Sequence, residues 1–363
     1  MSAGTTKLSR GDDRAFWKNR RVLLTGHTGF KGAWLSLWLK RLGAEVTGVA
    51  LPPVSTPNLF ESAGVAKHMD SRILDIRESA ALEMLVGSVN PEVVFHLAAQ
   101  PLVLASYRDP LETFETNVQG TANLLNALRK CSDTRVVVAV TTDKVYRNVE
   151  SAYPFRESDA LGGHDPYSAS KAAAEIVISC FRDAFLQERG IAVASARAGN
   201  VVGGGDWSED RLVPDAVRAW TAGHPLHVRR PAAIRPWQHV LEPLSAYLLL
   251  ARLLWDGPAP GGSYNFGPHT HEAASVRDVV ELACRSFGKG EVLWGDGGEG
   301  PHEANWLALE TAKARTQLGY TPRWSFAESI ERTMSWYRDF ADGDAPESLC
   351  ERDFLAFEQS GSA

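Results

Sequence analysis

Tyr167 and Lys171 stand four residues apart in Pro166-Tyr-Ser-Ala-Ser-Lys171, a stretch whose proline suits the first turn of a helix. That spacing sets a phenol and an ammonium on one helix face. A phenol has an ordinary pKa of about 10, so it becomes a base at neutral pH only where a neighbouring cation favours its phenolate, and Lys171 can supply that charge. Upstream, the apolar β-branched run Val136-Val-Val-Ala-Val140 reads as a buried strand that turns polar at Thr141-Thr-Asp-Lys-Val-Tyr146. Polar groups at a strand end face a site. Thr142 would join the hydrogen-bond system of the phenol, and Asp143 and Lys144 bring two more titratable groups beside it. Tyr-x-x-x-Lys alone more often marks an amphipathic surface, so the weight falls on what positions the pair.

Arg21-Val-Leu-Leu-Thr-Gly-His-Thr-Gly-Phe-Lys-Gly32 passes from an apolar strand into a loop with Gly26, Gly29 and Gly32. It continues into a helix that buries Trp34, Leu37 and Trp38 and ends at Gly43. Glycines at this spacing let the chain turn tightly, admit a pyrophosphate against bare N–H groups and aim a helix N-terminus at it. A dinucleotide site is therefore expected. The next strand, Glu45-Val-Thr-Gly-Val49, runs into Ala50-Leu-Pro-Pro53 with neither an acid nor an arginine to choose between the two nicotinamide dinucleotides. A third strand over Arg72–Arg77 would carry Asp75 and Ile76, placed to hold an adenine or simply to make a turn. Val93-Val-Phe-His-Leu-Ala-Ala-Gln100 reads as a fourth, with small Ala98 and Ala99 letting a ligand lie close and His96 as a packed, hydrogen-bonded side chain. A helix over Thr116–Leu128 then leads into the strand at Val136. The repeated β-α pattern implies an α/β fold, a Rossmann-type doubly wound parallel sheet with its ligand at the carboxyl ends of the strands.

Composition narrows the class. With 363 residues the chain can form two closely joined domains, and a net charge of -6 gives no support for nucleic acid or an anionic membrane as partner. Cys131, Cys180, Cys284 and Cys350 are scattered, so neither a disulfide framework nor a metal site is expected, and a reducing cytoplasm fits. The polar first residues lack a signal-peptide core. Leu244–Trp255, the longest apolar helix, is too short to span a bilayer and carries Arg252, which makes it a core helix.

Thr25-Gly-x-x-Gly-x-x-Gly32, Asp75-Ile76, Leu97-Ala-Ala99, Asn117 and Tyr167-x-x-x-Lys171 together resemble an extended short-chain dehydrogenase/reductase acting on nucleotide sugars, from about residue 16 to about residue 340. Thr141-Thr-Asp-Lys-Val-Tyr146 narrows the resemblance to the nucleotide-sugar 4,6-dehydratases. Those usually have Thr-Asp-Glu; the Thr-Asp-Lys here, with Arg197–Trp207, Arg235–Val240 and His302–Ala304, is similar to the branch acting on CDP-glucose.

The resemblance implies NAD as cofactor, held by Gly26, Thr28, Gly29, Phe30, Lys31, Gly32, Asp75, Ile76, Leu97, Ala98, Ala99, Gln100, Asn117, Thr141, Tyr167 and Lys171. Thr142, Asp143, Lys144, Tyr167 and Lys171 would be catalytic. Asn200, Arg235, Trp237 and Glu303 would hold the nucleotide sugar. Residues 16–198 form the expected NAD-binding domain, with a return near 237–262; 199–236 and 263–345 form a smaller interleaved substrate lobe, and 1–15 and 358–363 are expected to be disordered. A soluble homodimer or homotetramer in deoxysugar and lipopolysaccharide precursor synthesis is implied as well.

Within that lobe Arg229 and Arg230 read more readily as a solvated basic face than as a diphosphate clamp, and Tyr264-Asn-Phe-Gly267 matches a further substrate motif. Near the C-terminus Phe326, Ile330, Met334 and Tyr337 make one apolar helical stripe. The implied reaction oxidises C4 of a hexose, eliminates water across C5 and C6, and returns the hydride to C6, with Asp143 as the acid for the departing hydroxyl. Lys144 is either the C5 base, if burial lowers its pKa, or a cation that stabilises the enolate. A 4-epimerase or simple C4 dehydrogenase needs Tyr167 and Lys171 but no such acid, and a non-catalytic NAD(P)-binding sensor needs none of the set.

Overall fold

The computed structural model describes residues 10–150, 153–257, 260–298 and 304–361, with side chains from Arg14 onward. Its frame is a seven-stranded sheet of β1 (Arg21–Thr25), β2 (Glu45–Ala50), β3 (Asp70–Ile73), β4 (Val93–His96), β5 (Val136–Val140), β6 (Ala192–Ala198) and β7 (Gly262–Phe266). The spatial order is β7-β6-β5-β4-β1-β2-β3 and every pairing is parallel. Val22 pairs with Val46 on one side and Val93 on the other, and Val93 pairs in turn with Val136. Parallel strands need helices on both faces, and the period of two along each strand divides the core accordingly. Val22 and Leu24 join Trp34, Leu37 and Leu244 in one cluster, whereas Leu23 faces Leu82, Leu124 and Ile178 in the other. The order of strands reverses between β1 and β4, which opens a crevice at their carboxyl ends.

The expected doubly wound sheet is therefore present, with shifted edges. β3 ends at Ile73, which leaves Asp75 and Ile76 in the loop that follows. The helix expected over Thr116–Leu128 starts earlier, at Pro110, and passes through one wide π turn at Glu115–Gln119 before continuing over Gly120–Leu128. β7 pairs with β6, so the return of the chain to the main sheet runs through Phe266 rather than stopping near residue 262. Three short ladders lie beyond the strand ends: Val201–Val202 with Gln238–His239, Leu226–Val228 with Val292–Trp294, and Ile234–Arg235 with Ala274–Ser275.

Of the stretches expected to be disordered, residues 10–15 and 358–360 are helical, and 1–9 and 362–363 lie outside the described residues. A helix spans Arg10–Trp17 because its last turn carries Trp17, which is buried against Phe95, and Phe16, which meets Trp255 edge-on. The C-terminal helix Pro346–Ser360 reaches past residue 358 because Phe354 and Phe357 pack on Trp38, while Glu358 and Glu351 hold Arg41. The helix Leu241–Asp256 is a core helix with Arg252 near Asp256, and the Phe326–Ala341 helix buries Ile330, Met334 and Tyr337 as the apolar stripe requires. No helix among the described residues is long and apolar enough to cross a membrane.

Trp336 on that last helix lies flat against Gly204, where an added Cβ would fall 2.0 Å from the indole ring, and the Gly204 carbonyl accepts the Trp34 Nε1–H at 2.9 Å. Gly204→Ala should therefore destabilise the protein by about 1–3 kcal/mol through overpacking, read as a lower melting temperature. An unchanged melting temperature would show that this contact yields freely.

Candidate active site

The loops after β1, β3, β4, β5 and β6 and the short ladders enclose one cavity of about 1280 Å³ at the carboxyl edge of the sheet. It is larger than a site for one small ligand needs to be. Gly26, Thr28, Gly29, Phe30, Lys31, Gly32, Asp75, Ile76, Leu97, Ala98 and Ala99 line one end. Thr141, Thr142, Asp143, Lys144, Tyr167 and Lys171 stand in the middle, and Asn200, Arg235 and Trp237 beyond them. Glu303 lies outside the described residues.

The glycine loop fits a dinucleotide closely. Gly26 has φ +80°, and a Cβ there would stand 2.6 Å from Ala98 N; a Cβ on Gly32 would stand 2.0 Å from the Gly26 carbonyl oxygen. Gly29 forms the N-cap of the helix Phe30–Leu42 with no side chain over its N-terminus, which leaves that end open to an anion. Thr28 fixes the loop by donating from Oγ1 to Leu51 O at 2.8 Å. His96, as expected, is packed and bonded to Thr25 Oγ1 and Thr121 Oγ1, and burial lowers its pKa to about 3.

Some expected cofactor residues act at one remove. Asn117 is buried, accepting from Gln100 N at 2.8 Å and donating to Gln100 O at 3.1 Å and to Ser170 Oγ at 2.9 Å, and neither Asn117 nor Gln100 reaches the cavity wall. They set the loop after β4 against the helix Pro166–Phe181. Asp75 does line the cavity, but Arg77 donates to both its oxygens and holds its carboxyl below the usual range. Thr141 turns its hydroxyl inward, onto Glu175 Oε1 at 2.5 Å.

At the end of β5, Thr142 Oγ1 donates to Asp143 Oδ1 at 3.0 Å, and Asp143 Oδ2 is buried with no hydrogen-bond partner. Burial pushes the Asp143 carboxyl up, against the pull of Lys144, Thr142, Arg235 and Lys31. Tyr167 is pushed up to about 12 by burial, with the Thr142 hydrogen bond and the charge of Arg211 drawing it down. Lys171 instead donates to Val140 O at 3.4 Å, and burial lowers it to about 8 while Glu175 pulls it up. The expected acidification of the phenol by Lys171 is therefore not found: burial outweighs the pull of Thr142 and Arg211, and the phenol stands above its ordinary pKa.

Residues 23–333 match the family model described as GDP-mannose 4,6 dehydratase. The chain is 44% identical to CDP-glucose 4,6-dehydratase of Salmonella typhimurium over 92% of its own length and 94% of that relative. The chain belongs to the nucleotide-sugar 4,6-dehydratase family. More distant is dTDP-glucose 4,6-dehydratase of Streptomyces antibioticus, 31% identical over 88% of this chain and 92% of that one. Among solved structures, a double mutant of dTDP-glucose 4,6-dehydratase from Streptomyces venezuelae with NAD bound aligns with TM-score 0.74 and 26% identity, covering 88% of this chain and 97% of that one.

In this 4,6-dehydratase two residues missed from the sequence belong to the cavity. Arg211 precedes the helix Leu212–Thr221 and lines the cavity, and its side chain, like those of Lys31 and Lys144, makes no hydrogen bond or ion pair among the described residues. Crowded by burial and by the charges of Arg211 and Lys171, Lys31 falls to about 7 despite the opposing pull of Asp143. Unpaired cations lining a cavity suit anionic ligands. Gly199 matters for its missing side chain: a Cβ would stand 3.0 Å from Asp143 Oδ2 and 2.3 Å from Pro236 Cγ. A cue for Arg211 was available in an arginine set just before an apolar helix; the need for Gly199 shows only in three dimensions.

A carboxyl whose folded pKa is raised keeps its proton longer in the folded state, so its contribution to stability falls as pH rises from the unfolded pKa through the folded one. Asp143→Asn, which cannot ionise, should therefore gain melting temperature over the unsubstituted ligand-free enzyme as pH rises through that window. A gap that narrows or stays constant with pH would mean that Asp143 ionises like an exposed carboxyl.

Proposed function

We propose that the chain is a CDP-glucose 4,6-dehydratase that converts CDP-D-glucose to CDP-4-keto-6-deoxy-D-glucose and water. The observation that carries this reading is a buried carboxyl, Asp143, whose Oδ2 has no hydrogen-bond partner and whose pKa burial pushes up, beside Tyr167 in a cavity lined with unpaired cations. A 4-epimerase or C4 dehydrogenase has no use for that acid. The CDP-linked substrate is supported by the 44% identity to the Salmonella typhimurium enzyme, well above the 31% to the dTDP-glucose relative.

Gly26 and Gly32, with the open helix end after Gly29, are assigned to the diphosphate of NAD, and Ile76, Ala98 and Ala99 to its adenosine half. When bound, NAD would supply the redox couple that oxidises C4 and later reduces C6, leaving no net change in the cofactor. Thr142 and Arg211 favour the Tyr167 phenolate, and it is this form whose oxygen takes the proton of the C4 hydroxyl. Asp143 gives its proton to the C6 hydroxyl as water departs. Lys144 is assigned to C5, either as the free amine that takes the proton leaving C5 or as the cation that stabilises the enolate while another base takes that proton. Asn200, Arg211 and Arg235 hold the diphosphate of the nucleotide sugar, with Trp237 as apolar backing and Glu303 as a further contact. Segments 199–236 and 267–345 serve as the substrate lobe.

The test is to incubate the purified protein with CDP-glucose, and separately with dTDP-, UDP- and GDP-linked sugars, and to follow the product by mass. Loss of one water from CDP-glucose without net consumption of NAD is the expected result, abolished in Asp143→Asn. An unchanged mass with inverted C4 would establish an epimerase, and loss of two hydrogens with stoichiometric NADH a dehydrogenase.

A further inference from the structure

Glu175 and Arg197 form an ion pair with both side chains only 3% exposed, and no step above uses either residue. Such a pair costs desolvation that its own attraction only partly offsets, so a stabilising role alone is a weak account of it. Its partners suggest another. Glu175 lies one helical turn past Lys171 on the Pro166–Phe181 helix, and its Oε1 accepts from Thr141 Oγ1 at 2.5 Å and from Arg197 Nε at 3.0 Å. Its Oε2 accepts from Arg197 Nη2 at 2.8 Å and Ser195 Oγ at 2.7 Å. Arg197 Nη1 then donates to the Tyr146 hydroxyl at 2.9 Å, and that hydroxyl donates to Asn265 Oδ1 at 2.6 Å. The Tyr146 ring is stacked on Phe155 with centroids 5.0 Å apart, and the guanidinium sits 5.0 Å above it.

Thr141 and Tyr146 are the first and last residues of the polar segment that carries Thr142, Asp143 and Lys144. Both ends of that segment are therefore fastened to one ion pair, which is itself fastened to the helix bearing Tyr167 and Lys171. Lys171 adds a rung one residue earlier, at Val140 O. We infer that Glu175 and Arg197 are positioning residues, a clamp that fixes Thr142, Asp143 and Lys144 relative to Tyr167 by gripping Thr141 and Tyr146. The carboxylate is held charged for this: burial pushes the Glu175 pKa up, but Arg197, Thr141 and Ser195 bring it below its ordinary value. The consequence for catalysis rests on the function proposed above; the mechanical claim does not.

Thr141→Val and Tyr146→Phe each cut one grip and leave the ion pair in place, whereas Ser263→Ala removes a contact to both Glu175 Oε2 (3.1 Å) and Arg197 Nη2 (2.9 Å) without touching the segment. Two readouts are taken on the purified full-length proteins: amide hydrogen exchange across residues 141–147, and kcat and KM for the nucleotide sugar. Either grip variant should speed exchange in that segment alone and lower kcat by roughly ten- to a hundredfold, with KM within about twofold and the melting temperature held. Ser263→Ala should do neither. The clamp is overturned if the grip variants behave like Ser263→Ala, if kcat falls while the segment stays protected, or if exchange rises throughout the protein with a falling melting temperature. Should the unsubstituted protein transform no nucleotide sugar while exchange responds as stated, the functional proposal falls and the clamp stands.

Discussion

Asp143 holds a proton more tightly than an exposed carboxyl because it has been carried out of water to the end of a buried parallel strand and given only one hydrogen-bond donor there. Everything around it keeps that situation from collapsing. Five consecutive buried residues of β5 hold the strand inside the sheet, so the polar residues that follow have nowhere to turn except into the cavity. Gly199 leaves room for Oδ2 at the end of the neighbouring strand. Three cations, Lys144, Arg235 and Lys31, act on the carboxyl, yet none of them pairs with it, and desolvation outweighs their pull. A full ion pair would have fixed the proton's absence; a fully solvated carboxyl would have had no reason to keep it.

The same desolvation acts on Tyr167, Lys31 and Lys171, and its sign depends on the group. It raises Asp143 and Tyr167, which favours protonated acids, and lowers Lys31 and Lys171, which makes their charge easier to lose. Anionic ligands reverse the second effect: two diphosphates entering this cavity would restore the charge on Lys31 and give Arg211 and Lys144 counter-ions. The ligand-free enzyme is thus electrostatically incomplete, and binding energy is available where the cations crowd.

Much of the frame was legible in the sequence because period and spacing carry it. The glycine loop, the apolar strand before Thr141 and the Tyr167–Lys171 spacing all appear where residue order placed them, and the glycine loop, the polar residues after that strand and the Tyr167–Lys171 pair border one cavity. What could not be read was direction. Asn117 and Thr141 belong to the expected motifs, but their side chains point to Gln100 and Glu175, since a one-dimensional motif does not tell which face of a strand end meets the ligand. Arg197 was visible as a charge within the apolar strand Ala192–Ala198, and such a charge demands a partner. That partner, Glu175, stands at helical spacing from Lys171, so the signal was present but needed the packing of helix on sheet to be joined. At the ends, residues 10–15 and 358–360 belong to helices because each helix is anchored by apolar side chains outside those stretches, Trp17 at one end and Phe354 and Phe357 at the other.

The central claim is that Asp143 keeps its proton at the pH of catalysis, and infrared difference spectroscopy reads it most directly. The carboxyl stretch of the enzyme would be compared with that of Asp143→Asn as pH is raised. The account predicts a protonated carboxyl band, absent from the variant, that persists at a pH where an exposed aspartate is already ionised. A carboxylate band in its place at that pH would contradict the account and remove the acid on which dehydration depends.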